Sequence, residues 1–373
     1  MIPMNPNLSG LQRSGIRVYT NLANEIPGCV KLTLGEPDFD TPQPIKDALC
    51  RALEAGQTHY APNQGLLSLR EAVADYETSR GFPCEPDRVL ITVGATGALF
   101  TALLGVLAPG DEVIVPMPAF PLYESIATVA GAKVVALRTP DFQITREVLE
   151  EVITPRTKAI VLNSPNNPTG TVYTAESLAA VKAAVLGKPI YVVCDQVYRQ
   201  LCAAPCPDIT LDGALREQIL LCQSFSKPYA MTGWRVGYLI GPGELIARLL
   251  LLHAAQVASV PTFVQTACLT ALKTDVSAVA ESYRKRKEYV CGRLKAMGLE
   301  FPAPDGAFYV FPDVSRFGLD SAIFCTRMIR EAGVAAVPGS CFGCEGHIRI
   351  SYCCAEDALR EGLDRMEAFL TTL

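Results

Sequence analysis

The stretch from Arg88 to Leu137, RVLITVGATGALFTALLGVLAPGDEVIVPMPAFPLYESIATVAGAKVVAL, decides the fold. Arg88–Thr92 (RVLIT) is a β-branched run and reads as a strand, and Thr96–Leu107 carries a helical pattern that Pro109-Gly110 breaks. A strand at Glu112–Val115, a helix at Leu122–Ala130 closed by Gly131, and a strand at Lys133–Leu137 follow. Strands separated by helices of this length imply βαβ crossovers, hence parallel pairing.

The alternation continues downstream. Ala159–Asn163 reads as a strand entering a Pro-rich turn, and Ala175–Leu186 as a helix stopped by Gly187. Ile190–Cys194, Ile219–Gln223 and Val236–Ile240 complete the strands. The expected class is α/β, with a mainly parallel sheet covered by helices on both faces and its ligand at the carboxyl ends of the strands. After Gly241 the pattern changes. Glu244–Lys273 and Ala278–Ala296 read as long helices, Ala307–Phe311 and His347–Tyr352 as strands, and Ser321–Ala332 and Ala355–Leu370 as helices. This predicts a large domain over 46–275 and a small α+β domain built from 1–45 and 276–373. No internal repeat or flexible linker interrupts them.

Composition narrows the function. The chain has 373 residues, 49% hydrophobic and 19% charged, which excludes disorder or a fibrous repeat as its main character. Thirty-three basic against 38 acidic residues give a net charge of −5, so nucleic acid and anionic membranes are poor partners. The start lacks a basic segment followed by an apolar one, and the greasiest runs, Gly97–Ala108 and Leu249–Val260, fall short of the ~18 apolar residues of a membrane span. The fourteen cysteines are scattered without regular spacing, which points to reduced thiols in a cytoplasmic protein rather than a disulfide framework. Cys341 and Cys344, with His347 beyond them, lack the second Cys pair of a zinc site, so no metal is expected.

The chemistry lies in Ser224–Tyr238, SFSKPYAMTGWRVGY. Lys227 leaves an apolar strand between Ser224 and Ser226, with Arg235 eight residues on. A partly desolvated amine is a nucleophile or base near neutrality. Two hydroxyls and a guanidinium suit a phosphate. An amine beside a phosphate cradle is what pyridoxal phosphate requires. Gly94-Ala95-Thr96, between a strand and a helix, offers a further N-terminal phosphate site. Asp195 ends an apolar strand, and Asn167-Pro168-Thr169-Gly170 forms a turn after another.

With these segments the chain resembles the class I/II pyridoxal-phosphate-dependent aminotransferases of fold type I. The likeness runs through LGEPDFDTP (Leu34–Pro42), HYAPNQGLLSLREA (His59–Ala72), VGATGAL (Val93–Leu99), PMPAFPLY (Pro116–Tyr123), NSPNNPTG (Asn163–Gly170), CDQVY (Cys194–Tyr198), the lysine segment and HIRIS (His347–Ser351). The resemblance implies that Lys227 forms the Schiff base and moves the proton at Cα. It implies Asp195 at the pyridine nitrogen, Tyr198 and Asn167 at the phenolic oxygen, and Phe120 stacked on the ring. Ala95, Thr96, Ser224, Ser226 and Arg235 would surround the phosphate. Tyr60 would reach the phosphate of a neighbouring subunit, so a homodimer is expected. Arg349 would grip the substrate α-carboxylate, with Gly35 and Asn167 beside it.

The implied activity is ping-pong transfer of an amino group from an L-amino acid to a 2-oxo acid. The alternative is a carbon–sulfur β-lyase, which begins with the same deprotonation. A ligand sensor fused to a DNA-binding module is disfavoured, because no helix-turn-helix segment is evident and the charge is acidic. No second arginine for a distal substrate carboxylate stands out, and Thr96 occupies a position where some relatives that take aspartate carry lysine.

Overall fold

The computed structural model describes residues 5–11, 13–202 and 205–373, so positions 1–4, 12, 203 and 204 of the two expected domains lie outside the described residues. In chain order, α1 (Gly15–Asn24) and β1 (Val30–Lys31) precede α2 (Gln43–Glu54) and α3 (Leu67–Ser79). Strands and helices then alternate through β2 (Val89–Thr92), α4 (Gly94–Val106), β3 (Glu112–Met117), α5 (Leu122–Ala130) and β4 (Lys133–Arg138). They continue with α6 (Arg146–Val152), β5 (Thr157–Asn163), α7 (Ala175–Val185), β6 (Tyr191–Asp195), β7 (Ile219–Ser224) and β8 (Gly237–Ile240). The remainder is α8 (Gly243–Val257), α9 (Thr262–Ala271), α10 (Ser277–Ala296), β9 (Tyr309–Val310) and α11 (Ser321–Arg327). It ends with β10 (Val334–Ala335), β11 (Val337–Pro338), β12 (Ile348–Ser351) and α12 (Glu356–Leu370).

Seven strands form one sheet in the order β2-β8-β7-β6-β5-β3-β4. Six run in one direction, and five of these, β7-β6-β5-β3-β4, pair parallel as their crossovers require. β8 runs antiparallel to both neighbours, because the lysine segment that joins it to β7 turns back without a crossover helix. That reversal matters for the site. Gly237, which starts β8, pairs with Ser224 at the end of β7 on one side and with Thr92 at the end of β2 on the other. Asn163 and Asp195, the last residues of β5 and β6, pair with each other. One sheet edge therefore collects the residues on which the chemistry depends.

Successive strand residues enter opposite faces. Ile91, Ile114, Leu162 and Leu221 pack with Ile45 of α2, Leu69 of α3 and Val264 of α9. Leu90, Val113, Val161 and Leu220 pack with Leu99 of α4, Ile126 of α5 and Leu249 of α8. A separate cluster joins Val30 and Leu32 to Phe308, Val310, Ile350 and Leu363, so both ends of the chain share one core.

The helix expected over Glu244–Lys273 is instead two helices. Ala258 takes a φ of 55°, and α9 starts only after Pro261. Proline cannot donate to the preceding turn and pushes Val260 out of the helical region, so the apolar run hides a break. The helix expected over Ser321–Ala332 is α-helical to Arg327 and ends in a π turn, Met328–Ala332. The strand expected at Ala307–Phe311 pairs over Tyr309–Val310 alone.

Candidate active site

A cavity of about 410 Å³ opens at that sheet edge. Lys227, just past β7, points into it, and its Nζ donates to the carbonyl of Gly35 at 2.5 Å. Burial lowers the pKa of this amine from 10.5 to about 8; the nearby Cys353 and Glu36 oppose the shift. An amine so placed is substantially neutral, and therefore nucleophilic, a little above neutral pH.

Asp195 ends β6 and is 4% exposed. Tyr123 Oη of α5 donates to its Oδ2 at 2.7 Å, and the Val197 amide approaches Oδ1 at 3.4 Å. Burial raises the carboxyl to about pH 6, while the tyrosine and amide donors restrain the rise. A buried acid that, among the described residues, makes no salt bridge suits a protonated heterocycle entering the cavity. Asn163 at the end of β5 ties the neighbouring strand in, its Nδ2 donating to the Asp195 carbonyl and its Oδ1 accepting from the Asn167 amide at 2.7 Å. The Asn167 Oδ1 accepts from Arg349 at 2.9 Å, which leaves its amide NH₂ for a ligand. Tyr198 Oη lies 3.0 Å from Tyr309 Oη, and both rings line the cavity.

The opposite end is a cup for an anion. Ala95 and Thr96 lie in the first turn of α4, where backbone N–H groups are unpaired and the helix dipole favours negative charge. Ser224 Oγ and Ser226 Oγ are 2.8 Å apart, and Arg235 completes the wall. A Cβ added to Gly94, whose φ is 66°, would stand 2.7 Å from the Arg235 guanidinium, so only glycine lets this backbone approach it.

Arg349, on β12, is 1% exposed. Its guanidinium lies between the rings of Tyr309 and Phe342, at 4.6 and 5.0 Å, and donates to Asn167 and to the Thr33 carbonyl. Among the described residues it has no acidic partner, and its Nε is unpaired. A buried cation without a counter-ion is a site for a carboxylate.

Gly35 explains how Tyr309 fits beneath that guanidinium. A Cβ there would fall 1.7 Å from Tyr309 Oη and 2.8 Å from its Cζ. Gly35→Ala is thus expected to lower stability by about 1–3 kcal/mol through overpacking. Tyr309→Phe in the same chain should recover part of the loss, because it removes the nearer of the two atoms. Thermal unfolding of the two variants measures this; equal stability of Gly35→Ala and the parent would refute it.

Every expected site residue except Tyr60 lines this one cavity, Phe120 and Gly35 included. Tyr60 is 91% exposed and does not enter it. Tyr123, Thr33 and Tyr309 reach the site by contacts between distant segments, which no local pattern marks, whereas Asn163 begins the NSPNNPTG motif and accepts from the Asn167 amide four residues on. Cys344 Sγ is 3.6 Å from His347 Nδ1, and among the described residues no cluster of three or more metal-ligating side chains forms.

A buried amine, a buried acid, an anion cup and a carboxylate-binding arginine in one cavity fit pyridoxal phosphate and an amino acid. Residues 27–366 match the family described as aminotransferase class I and II. The chain belongs to this family. A Bacillus subtilis protein described as a probable N-acetyl-LL-diaminopimelate aminotransferase is 38% identical over 377 residues, covering 98% of this chain and 95% of that one. An aspartate/prephenate aminotransferase of Thermus thermophilus is 40% identical over 361 residues, covering 91% of each. The solved structure of a Thermus thermophilus aspartate aminotransferase with maleate superposes with a TM-score of 0.94 at 37% identity, over 99% of this chain and 100% of that one. This aminotransferase therefore uses pyridoxal phosphate and transfers amino groups between amino acids and 2-oxo acids. The carbon–sulfur lyase alternative is not favoured, since these relatives are named as aminotransferases.

Proposed function

We propose that this aminotransferase takes an L-amino acid and a 2-oxo acid in alternation, with Lys227 as the proton carrier and Arg349 as the α-carboxylate clamp. One observation carries the reading: the buried, acid-free guanidinium of Arg349 faces the same cavity as the desolvated amine of Lys227. When bound, pyridoxal phosphate supplies a carbonyl that condenses with amines and a ring that spreads negative charge from Cα. Arg349 holds the α-carboxylate bidentately and so selects which Cα bond stands perpendicular to that ring. Lys227, neutral above about pH 8, carries the proton between Cα and the cofactor's C4′. Asp195 holds a proton at the ring nitrogen, while Tyr198 and the Asn167 amide donate to the phenolic oxygen. Phe120 covers the ring. Ala95, Thr96, Ser224, Ser226 and Arg235 receive the phosphate.

Each donor leaves as its 2-oxo acid before the acceptor binds. Initial rates with both substrates varied should give parallel reciprocal plots. Release of pyruvate, ammonia and thiol from a cysteine conjugate without any 2-oxo acid would instead indicate a lyase.

The working enzyme is a homodimer in this reading, with the exposed Tyr60 of one subunit reaching the phosphate site of the other. The shared core of the chain ends supports a small domain of 1–45 and 276–373 beside a large domain of 46–275. Among the described residues no helix is long and apolar enough to cross a membrane. That, with fourteen cysteines, supports a cytoplasmic setting.

A further inference from the structure

The segment that brings Gly35 to Lys227 is held from outside the cavity by an ion pair to which the reading above gives no task. Between β1, which ends at Lys31, and α2, which starts at Gln43, the chain forms no helix or strand. Leu34, Gly35 and Glu36 of this segment line the cavity, and the Gly35 carbonyl accepts from Lys227 Nζ. Three residues on, Asp38 Oδ1 and Oδ2 accept from the two terminal nitrogens of Arg286, on α10, at 2.7 and 2.9 Å. Neither Asp38 nor Arg286 lines the cavity. We propose that Arg286 is a positioning residue for Lys227, acting through Asp38 to fix the segment whose Gly35 carbonyl receives the lysine amine.

Two routes join the pair to the amine. The first is the main chain from Asp38 to Gly35. A planar guanidinium that grips both carboxylate oxygens fixes orientation as well as distance. The second is aromatic. The Arg286 guanidinium lies 5.1 Å from the Phe39 ring and 5.6 Å from the Tyr283 ring, and these rings meet edge to face. Tyr283 packs on Phe308 at 5.3 Å, and Phe308, fully buried, is 5.9 Å from Lys227 Nζ.

Two other ties of the segment differ in kind. Glu36 accepts from Thr232, and Thr41 donates to the Ala230 carbonyl. Both partners belong to the loop that carries Lys227, so these contacts move with the lysine. The Asp38–Arg286 pair instead refers the segment to a separate helix. Breaking it should free the segment, admit water to the amine and loosen its direction. Water weakens the burial that depresses the amine's pKa, while the titratable groups facing the amine, Glu36, Asp195, Arg235, Arg349 and Cys353, all remain. Those facing Arg286 are Asp38, Tyr283 and Cys354.

This inference rests on the reading of Lys227 as the proton carrier, and the test separates the two. In the cofactor-loaded enzyme, Asp38→Asn and Arg286→Gln should each lower kcat by about 10-fold or more, with KM for 2-oxoglutarate and pyruvate within about 3-fold of the parent. Together they should cost no more than the larger single loss. Arg286→Lys keeps the charge without the fork and should recover part of kcat. In the cofactor-free chain, uptake of acetaldehyde at Lys227, trapped with borohydride and read by mass, should move its midpoint up from about 8 toward 10.5 in both variants. That midpoint does not depend on what the amine does in catalysis. Near-parental turnover of Lys227→Ala would thus sink the proton-carrier reading and leave the positioning role standing. The Asp38 side chain is 24% exposed and asparagine keeps its shape, so Asp38→Asn decides alone if Arg286→Gln does not fold. An unmoved midpoint or a parental kcat in Asp38→Asn would overturn the positioning role, as would additive losses in the combined variant.

Discussion

Lys227→Ala is expected to lower turnover by about 10⁴-fold while leaving the protein folded. The size follows from what the side chain does. It is the basic group closest to the reacting carbon in the proposed mechanism, and the cavity holds no second amine to replace it. Folding should suffer little, because removing the buried amine relieves a desolvation cost that offsets the loss of its hydrogen bond to the Gly35 carbonyl. Borohydride treatment of the cofactor-loaded parent should fix the cofactor to the peptide that contains Lys227, and the variant should show no such adduct by mass. The pH dependence has a definite sign. Since the amine's pKa falls from 10.5 to about 8, the neutral form appears at lower pH than for an ordinary lysine. Uptake of a simple aldehyde at Lys227 by the cofactor-free chain should therefore rise with pH and level off with a midpoint near 8. A midpoint near 10.5, or near-parental turnover of Lys227→Ala, would refute the assignment.

The parts of the site that were legible in sequence are those carried by short motifs at strand ends. Lys227, Asp195 and Asn167 each sit at or just past a strand end, and the parallel sheet brings those ends together, whereas Arg349 lies inside β12 of the separate antiparallel sheet. What could not be read is what sheet register and domain packing supply. Tyr123 grips Asp195 across 72 positions, and Tyr309 meets Tyr198 across 111, with no local pattern to announce either pairing. The split between α8 and α9 is different, because Pro261 was in plain view and the apolar run around it outweighed the signal. The antiparallel β8 also had a signal, in the lack of a helical pattern between β7 and β8. Local breaks are thus recoverable from sequence with more weight on proline, whereas the second ring of site residues needs the fold.

Glu77→Ala is expected to cost about 3–5 kcal/mol of stability, more than any exposed ion pair in the molecule could account for. Glu77, on α3, is fully buried. Its Oε1 accepts from Arg199 at 2.6 Å and from Tyr238 Oη of β8 at 2.5 Å. Burial alone would lower the Arg199 pKa, but the charge of Glu77 outweighs it and the guanidinium is held more firmly protonated than usual. Removing the carboxylate strands a cation that is 7% exposed and cannot shed its proton. Arg199 also donates to Gln196 Oε1 at 2.8 Å, and these two residues flank the turn between Asp195 and Tyr198. The same substitution should thus loosen the acid and the hydroxyl that face the cofactor, and lower kcat as well. Replacing both partners, Glu77→Leu with Arg199→Leu, removes the stranded charge and should recover much of the stability. It should not recover kcat, because Arg199→Leu removes the tie to Gln196. Urea unfolding of the single and double variants tests the ledger. A loss below about 1 kcal/mol for Glu77→Ala, or a double variant no more stable than the single, would mean that the pair is not the buried, mutually dependent unit its geometry describes.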